Sequence, residues 1–240
     1  ALCVHSWSDV VYAGRWRSLA CPATYGRRTK ANGDLECWKL APECSAKVGN
    51  PINLLDGCKV QREVDYRSRT PGGVEVQRYY NSAGFFRLDA APEKSTDVWR
   101  TTWDRRLLAA PAGGNILAYA QRPDGALQVF LPNGREMHNS QGGAAALLER
   151  LADAAGATTG WRLTSADTDV ELYDAAGRVQ SITLRAGQAY ALAYDASGRL
   201  GTVTDAYGGA LSFTYDASGR LSGFVAPGNR IYVSGYDAKG

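Results

Sequence analysis

The last third of the chain repeats itself every 21 residues, and this period limits its fold more than any other feature. Four Tyr-Asp pairs recur at this spacing, a glycine follows each Asp by three residues, and arginine follows the first three glycines. A fixed period of this length indicates an architecture in which each copy packs against the next. The repeated motif consists of Tyr173, Asp174, Gly177, Arg178, Tyr194, Asp195, Gly198, Arg199, Tyr215, Asp216, Gly219, Arg220, Tyr236, Asp237 and Gly240.

The residues ahead of each pair alternate as they do in β-strands. Tyr190, Leu192 and Tyr194 fall on one face, and the next copy shows the same alternation. The Asp-x-x-Gly stretch that follows has turn chemistry, since Asp can bond the backbone ahead of it and Gly permits a positive φ. Each repeat is therefore predicted to contain two short strands and two turns, paired with its neighbours in an antiparallel sheet.

The aspartates of the motif are interpreted as turn caps. A ladder of metal or sugar ligands is the alternative, but Asp and Gly at fixed offsets in a turn need no further cause. The arginines are expected to cover apolar surface with their stems while their heads meet the Asp carboxylates or solvent; an anion site is the alternative. No metal or cofactor site is predicted.

Strand patterns also precede the repeats. One predicted strand places Val60, Arg62, Val64 and Tyr66 on one face, a turn at 71–73 leads into the next strand, and a third covers 127–131. The one helix predicted runs over 143–154, where an Ala- and Leu-rich run has high helix propensity.

Cysteines cluster in the first quarter of the chain. Such clustering in a loop-rich segment is typical of disulfide-bonded regions outside the cytoplasm. The preferred pairs are Cys21 with Cys37 and Cys44 with Cys58; other connectivities stay open, and Cys3 would be free or bonded to another chain. Zinc is less favoured because no Cys-x-x-Cys pair occurs. Thiol catalysis is less favoured because His5 and His138 are the sole histidines.

Composition argues against several functional classes. The net charge of +3 comes from 27 basic and 24 acidic residues, which does not suggest a nucleic-acid groove. No apolar run approaches the ~20 residues that span a bilayer. Gly-x-Ser-x-Gly, His-Glu-x-x-His and phosphate-loop motifs are absent from the sequence. The chain is therefore predicted to be neither an enzyme, nor a nucleic-acid binder, nor a membrane-spanning protein.

The Tyr-Asp-x-x-Gly-Arg-Leu motif at this period resembles the YD repeat of the Rhs family. Residues 49–53, with the sequence Gly-Asn-Pro-Ile-Asn, are similar to the segment that precedes the repeats in that family, as are 56–66, 78–82, 103–107 and 122–125. The resemblance covers about residues 49–240. It implies a curved or spiralling antiparallel sheet of hairpin repeats that forms part of a shell. Together with the residue patterns above, the predicted fold is mainly β, with one short helix and a disulfide-bearing N-terminal segment.

The expected organisation has four parts. Residues 1–48 form a cysteine-containing segment, 49–141 a pre-repeat β domain, 142–172 a short helix with a degenerate repeat, and 173–240 the YD repeats. Because the fourth repeat stops inside its turn, the chain is expected to be the N-terminal piece of a longer protein.

The resemblance implies a secreted or cell-surface bacterial protein that encapsulates or presents a C-terminal toxin or effector in interbacterial competition. Its implied partners are downstream repeats, that toxin, and components of a secretion apparatus or cell surface. The alternative is a carbohydrate-binding or adhesion module that holds glycans on Trp7, Trp16, Trp38 and Tyr207. A hidden hydrolase or self-cleaving segment is a third hypothesis.

Overall fold

The computed structural model describes residues 59–82, 99–111, 113–137 and 146–236 in full, and the backbone alone of four short strands before them. The chain divides into two compact units, residues 1–40 and residues 41–240. In the first unit, β1 (Tyr25–Thr29) and β2 (Leu35–Lys39) pair as an antiparallel hairpin.

The second unit begins with three small antiparallel sheets. The first pairs β3 (Lys47–Val48) with β4 (Ile52–Asn53). The next consists of β5 (Val60–Arg67), β6 (Glu75–Asn81) and β7 (Trp99–Thr101), with β6 in the centre. The third consists of β8 (Arg106–Ala109), β9 (Ala118–Gln121) and β10 (Leu127–Phe130), with β9 in the centre.

The remaining described strands of the second unit form one sheet of nine strands, which we call the repeat sheet. Its strand order follows the sequence, and every strand is antiparallel to the one before it. The predicted mainly β fold with antiparallel pairing of hairpin repeats is confirmed. The strands are β11 (Leu147–Ala152), β12 (Thr158–Thr164), β13 (Val170–Asp174), β14 (Val179–Thr183), β15 (Ala189–Tyr194), β16 (Leu200–Asp205), β17 (Ala210–Tyr215), β18 (Leu221–Ala226) and β19 (Arg230–Val233).

A β-bulge recurs at the motif tyrosines of the repeat sheet. Leu172 pairs with Ser181 while the next residue, Tyr173, pairs with Val179, so one residue of β14 is left over. The same shift occurs at Tyr194 and at Tyr215, one and two repeats later. A bulge strengthens the local right-handed twist, so the sheet gains additional twist once in every 21-residue repeat.

The core lies between one face of the repeat sheet and the segment before it. Alternate residues are buried along its strands, as in β15, where Tyr190 and Leu192 are 8% and 5% exposed. The buried apolar residues before β11 are Tyr66, Val74, Val76, Trp103, Leu107, Ala118, Ala120, Phe130 and Ala146. Those of the repeat sheet are Leu148, Trp161, Leu163, Tyr173, Val179, Ile182, Tyr190, Leu192, Leu200, Val203, Leu211, Phe213, Phe224 and Ala226.

The helix predicted over 143–154 is wrong, because β11 occupies 147–152 and the described residues contain no helix. Helix propensity is a weak prior, and an isolated helix of this length is marginal in water. In its place β12 offers a complete row of backbone partners to β11. Leu148 turns into the core, whereas Leu147 and Leu151 stay 40% and 39% exposed.

The common face predicted for Val64 and Tyr66 is also wrong, because β5 contains a bulge. Val64 pairs with Gln77 and Tyr66 pairs with Val76, so the two side chains point to opposite faces. Tyr66 enters the core at 7% exposure, and Val64 is 47% exposed. The hairpin itself, with its turn at 71–73, forms as predicted.

The disulfide-bearing segment is not supported by the structure. Cys21, Cys44 and Cys58 lie outside the described residues, and of Cys37 only the backbone in β2 is described. The pairing of these cysteines stays a prediction.

Two glycines of the motif differ in what surrounds them and allow a matched test. Both have a positive φ, +76° at Gly177 and +80° at Gly219. A Cβ at Gly177 would lie 1.8 Å from the carbonyl oxygen of Leu107, whereas a Cβ at Gly219 would meet nothing within 4 Å. Gly177→Ala therefore strains the left-handed backbone and also pushes β8 away from the repeat sheet.

We expect Gly219→Ala to lower the free energy of unfolding by about 1 kcal/mol, the cost of a left-handed non-glycine residue. Gly177→Ala should cost at least about 1 kcal/mol more, in line with overpacking. Urea unfolding of the two variants measures this difference. Equal losses would show that β8 is not held against the Gly177 turn.

Candidate functional site

Each later motif tyrosine bonds the repeat before it. Tyr194 donates its hydroxyl hydrogen bond to the carbonyl of Val179 at 2.8 Å. Tyr215 and Tyr236 make the same bond, at 2.9 and 2.7 Å, to the carbonyl 15 residues earlier. The bond therefore joins consecutive copies at the same place each time.

The motif aspartate closes the turn that follows it. Asp195 accepts hydrogen bonds on Oδ1 from the backbone N–H groups of Ser197 and Arg199, both at 2.9 Å. Its Oδ2 accepts one from Arg199 Nε at 2.8 Å. The backbone bond from Arg199 is the main reason that the pKa of Asp195 lies below its ordinary value. Asp174 and Asp216 accept the same backbone and side-chain bonds from the arginines four residues on.

The motif arginine then extends over the tyrosine ring of the next copy. Arg178 lies 5.4 Å from the ring centre of Tyr194, a cation–π distance. Arg199 lies 4.7 Å from the ring of Tyr215, and Arg220 lies 4.3 Å from that of Tyr236. Aspartate, arginine and the following tyrosine thus form one unit, which we call the repeat joint. Burial raises the pKa of Tyr194 to about 12, so its hydroxyl stays protonated and can donate.

The first motif tyrosine does not form this joint. Tyr173 donates its hydroxyl hydrogen bond to Oε2 of Glu171, which is 2% exposed. The same carboxylate accepts hydrogen bonds from Arg105, and from Arg122 at 2.7 and 2.8 Å. Both arginines come from the segment before the repeats. A buried ionic cluster therefore stands where a preceding repeat would otherwise bond Tyr173.

The two guanidinium groups of this cluster keep the buried carboxylate ionised. Burial alone would raise the pKa of the Glu171 carboxyl, but the hydrogen bonds and charge of Arg122, with the charge of Arg105, lower it from 4.5 to about 2. Burial, together with the Glu171 charge, raises the pKa of Tyr173 well above its ordinary value. Glu171 is thus ionised and Tyr173 neutral at any physiological pH.

A second buried acid joins the repeat sheet to the segment before the repeats at another place. Asp205, 6% exposed, accepts a hydrogen bond on Oδ2 from the backbone N–H of Val74 at 2.9 Å. Its Oδ1 closes its own turn by accepting from Tyr207 and Gly209. We call Glu171 and Asp205 the acidic anchors. Neither residue was predicted from the sequence.

Aromatic and hydroxyl contacts surround the anchors. Tyr190 donates a hydrogen bond to the carbonyl of Gly72 at 3.0 Å, and its ring meets Trp103 edge to face at 5.3 Å between centres. Trp103 Nε1 donates to the carbonyl of Glu75 at 2.8 Å. Tyr66 packs against Tyr232 at 6.1 Å. The hairpin of β5 and β6 is therefore fixed to the repeat sheet at several points.

Other predicted site residues lie either in an exposed turn or outside the described residues. Asp237 and Gly240 of the fourth motif lie outside the described residues, as do Trp7 and Trp16, whereas Tyr207 is 60% exposed in a turn. Within the described ranges, no group of three or more His, Cys, Asp or Glu side chains could hold a metal ion. That same part of the chain holds no helix long and apolar enough to cross a membrane.

Comparison with protein families finds two matches. Residues 173–210 match the family described as RHS Repeat, and residues 49–130 match the one described as Domain of unknown function (DUF6531). No curated protein matches the chain. The first match begins at Tyr173 and spans the first repeat joint, and the second spans the strands that cover the repeat sheet.

The repeat joint can be tested at one hydroxyl. Tyr215→Phe leaves the carbonyl of Leu200 without its donor and should lower the free energy of unfolding by about 1–2 kcal/mol. Tyr207→Phe alters an exposed tyrosine and should stay within about 0.5 kcal/mol of the parent. Denaturant unfolding of both variants measures this. If Tyr215→Phe were as stable as Tyr207→Phe, the hydroxyl would not join the repeats.

Acid unfolding tests the Glu171 cluster. Because the folded pKa is lowered, ionised Glu171 stabilises the fold above its unfolded pKa, and this stabilisation is lost as the pH falls toward about 2. The shift corresponds to roughly 3 kcal/mol. Glu171→Gln should therefore be less stable at pH 7, and its stability should approach that of the parent as the pH falls. Glu149→Gln, at an exposed and loosely paired glutamate, is the control. Parallel pH curves for parent and Glu171→Gln would contradict the assignment.

Proposed function

Since this chain is an Rhs/YD-repeat protein, we propose that it is the structural beginning of a β-sheet shell that encloses or presents a C-terminal toxin or effector. The observation that carries the proposal is the repeat joint. The joint lets each copy bond the next with the same residues, so a sheet built this way can be extended by whole repeats. The chemistry is structural, because each motif residue from Asp174 to Tyr236 is committed to a turn, a ring contact or a backbone bond.

The last strand of the repeat sheet is suited to such an extension. Among the described strands, β19 pairs with β18 alone, which leaves its other edge open. Ile231 and Val233 on this strand are 73% and 83% exposed. An exposed, apolar edge strand is a ready template for another strand. We propose that a downstream repeat of the same protein pairs there.

The segment before the repeats closes the sheet on one side. Its strands cover the apolar face, and the acidic anchors fix it to β13 and β16, the third and sixth of the nine strands. Further repeats can then be added at the open edge of β19. This arrangement supports the role of the pre-repeat segment as the capped beginning of a shell.

We propose export from the cell as the context of this shell. Rhs repeats occur in extracellular and cell-surface proteins. The cysteine pairs Cys21–Cys37 and Cys44–Cys58 belong to the same proposal, since disulfides persist outside the cytoplasm. Alkylation of the oxidised, unfolded chain should then modify Cys3 alone, whereas alkylation after reduction should modify all five cysteines. Modification of all five cysteines without reduction would show that the disulfides are absent.

Protection from protease tests the shell. We expect the complete reading frame that contains this chain to yield a protein whose sequence after the repeats resists digestion under native conditions. Gly223→Ala should abolish that resistance, because a Cβ there would lie 2.2 Å from the carbonyl oxygen of Tyr232 and separate β18 from β19. Gly235→Ala is the matched control, because its Cβ would meet nothing within 4 Å.

Two results would overturn the proposal. One is a downstream sequence that the protease digests as fast in the parent as in Gly223→Ala. The other is a reading frame without further repeats after residue 240. Binding to a glycan array by the intact chain would instead favour the carbohydrate-binding alternative, for which Tyr207 is the described candidate.

A further inference from the structure

We infer that Glu171 and Asp205 are positioning residues that fix the pre-repeat segment at one place on a sheet that otherwise repeats. A sheet of similar repeats offers similar apolar surfaces at successive positions. A segment that packs on it by apolar contact alone has several near-equivalent positions. Something that does not repeat must select one of them.

Both acids occupy places where other repeats carry apolar residues. Glu171 lies two residues before its motif tyrosine, and the equivalent residues of the next two repeats are Leu192 and Phe213. All three side chains are buried, at 2%, 5% and 8% exposure. Glu171 is therefore a substitution of a carboxylate into a core position of the repeat.

Asp205 departs from the repeat in the same way. It lies 11 residues after Tyr194, and the equivalent residues after Tyr173 and Tyr215 are Leu184 and Ala226. Asp205 and Ala226 are both buried, and Leu184 packs against the same core. Each anchor is thus an acid at a position that is apolar in the two repeats with which it is compared.

The two exceptions are also the two acids of the repeat sheet that bond the pre-repeat segment from within the core. Glu171 accepts from Arg105 and Arg122, whose side chains are each 18% exposed. Asp205 accepts from the backbone N–H of Val74, which is fully buried. The two pairs lie at different strands, β13 and β16, so together they determine a position along the sheet.

The apolar contacts do not select a position in this way. Trp103 packs on Tyr190, and Tyr66 packs on Tyr232. Tyr190 and Tyr232 are equivalent residues two repeats apart, and Leu211 is the equivalent residue of the repeat between them. A displacement by one repeat toward β19 would give Trp103 the apolar partner Leu211 in place of Tyr190. It would, however, place the two arginines against Leu192 and the Val74 N–H against Ala226, which leaves buried charges and a buried donor without partners.

The expected displacement is measurable. One repeat is two strands, and adjacent strands lie about 4.8 Å apart, so a displacement by one repeat moves the segment about 10 Å along the sheet. Nitroxide labels attached through a ketone-bearing amino acid avoid the native cysteines. Arg69 in the β5–β6 turn and Ser212 on β17 are exposed sites for them. Pulsed electron–electron double resonance gives the distribution of the distance between the two nitroxides.

The parent chain should show one narrow distance. Glu171→Leu combined with Asp205→Ala should broaden the distribution or add a second distance displaced by up to about 10 Å, two strand spacings. The control is Asp216→Asn, which weakens a motif turn without touching the pre-repeat segment and should keep the single distance. A single, unchanged distance in the folded double variant would overturn the inference.

A second variant decides the case in which the first does not fold. It adds Arg105→Met and Arg122→Met, so that no buried charge is left without a partner. If this variant folds with several distances, the anchors select the position. If it keeps the parent distance, or does not fold, the inference fails, because residues that only select a position can be replaced by the apolar residues other repeats carry there.

Discussion

The apolar face of the repeat sheet must be covered, and the rest of the structure follows from how this is done. An antiparallel sheet with alternating buried and exposed residues cannot bury one face by itself. In this chain the cover comes from the strands that precede the repeats. Phe130 and Leu107, each at most 2% exposed, belong to the same core as Leu163 and Leu211 of the repeat sheet. The two parts therefore depend on each other for their stability.

Bonding along the sheet and bonding across the core use different chemistry. Along the sheet, the repeat joint uses the same aspartate, arginine and tyrosine in each copy, with the solvent-exposed guanidinium heads adding small increments. Across the core, the acidic anchors use buried bonds that occur once each. The first kind of bond permits an array of any length, and the second specifies where the array begins. This division suits a protein that is assembled from repeats but must start at a defined place.

Much of this fold could be predicted from the sequence because it is periodic. The strands, the turns and the role of Asp195 as a turn cap follow from local rules that act in every copy. The helix over 143–154 was wrong because β12 supplies backbone partners that local propensity does not include. The common face of Val64 and Tyr66 was wrong because a single bulge in β5 lies between them and reverses the face of Tyr66. The anchors could not be predicted because the repeat motif begins at Tyr173, which leaves Glu171 out, and because no local rule marks Asp205 as buried. The available signal for Glu171 was a carboxylate at a position that is Leu or Phe in the next two copies.

The central claim is that the pre-repeat strands and the repeat sheet form one cooperative core. Amide hydrogen exchange, followed peptide by peptide in the native chain, tests this claim most directly. The account predicts that peptides from β5–β6 and from β13–β17 share the slowest class of exchange and lose their protection together as denaturant is added. Rapid exchange in β5–β6 while β13–β17 stay protected would contradict it, because the repeat sheet would then be stable without its cover.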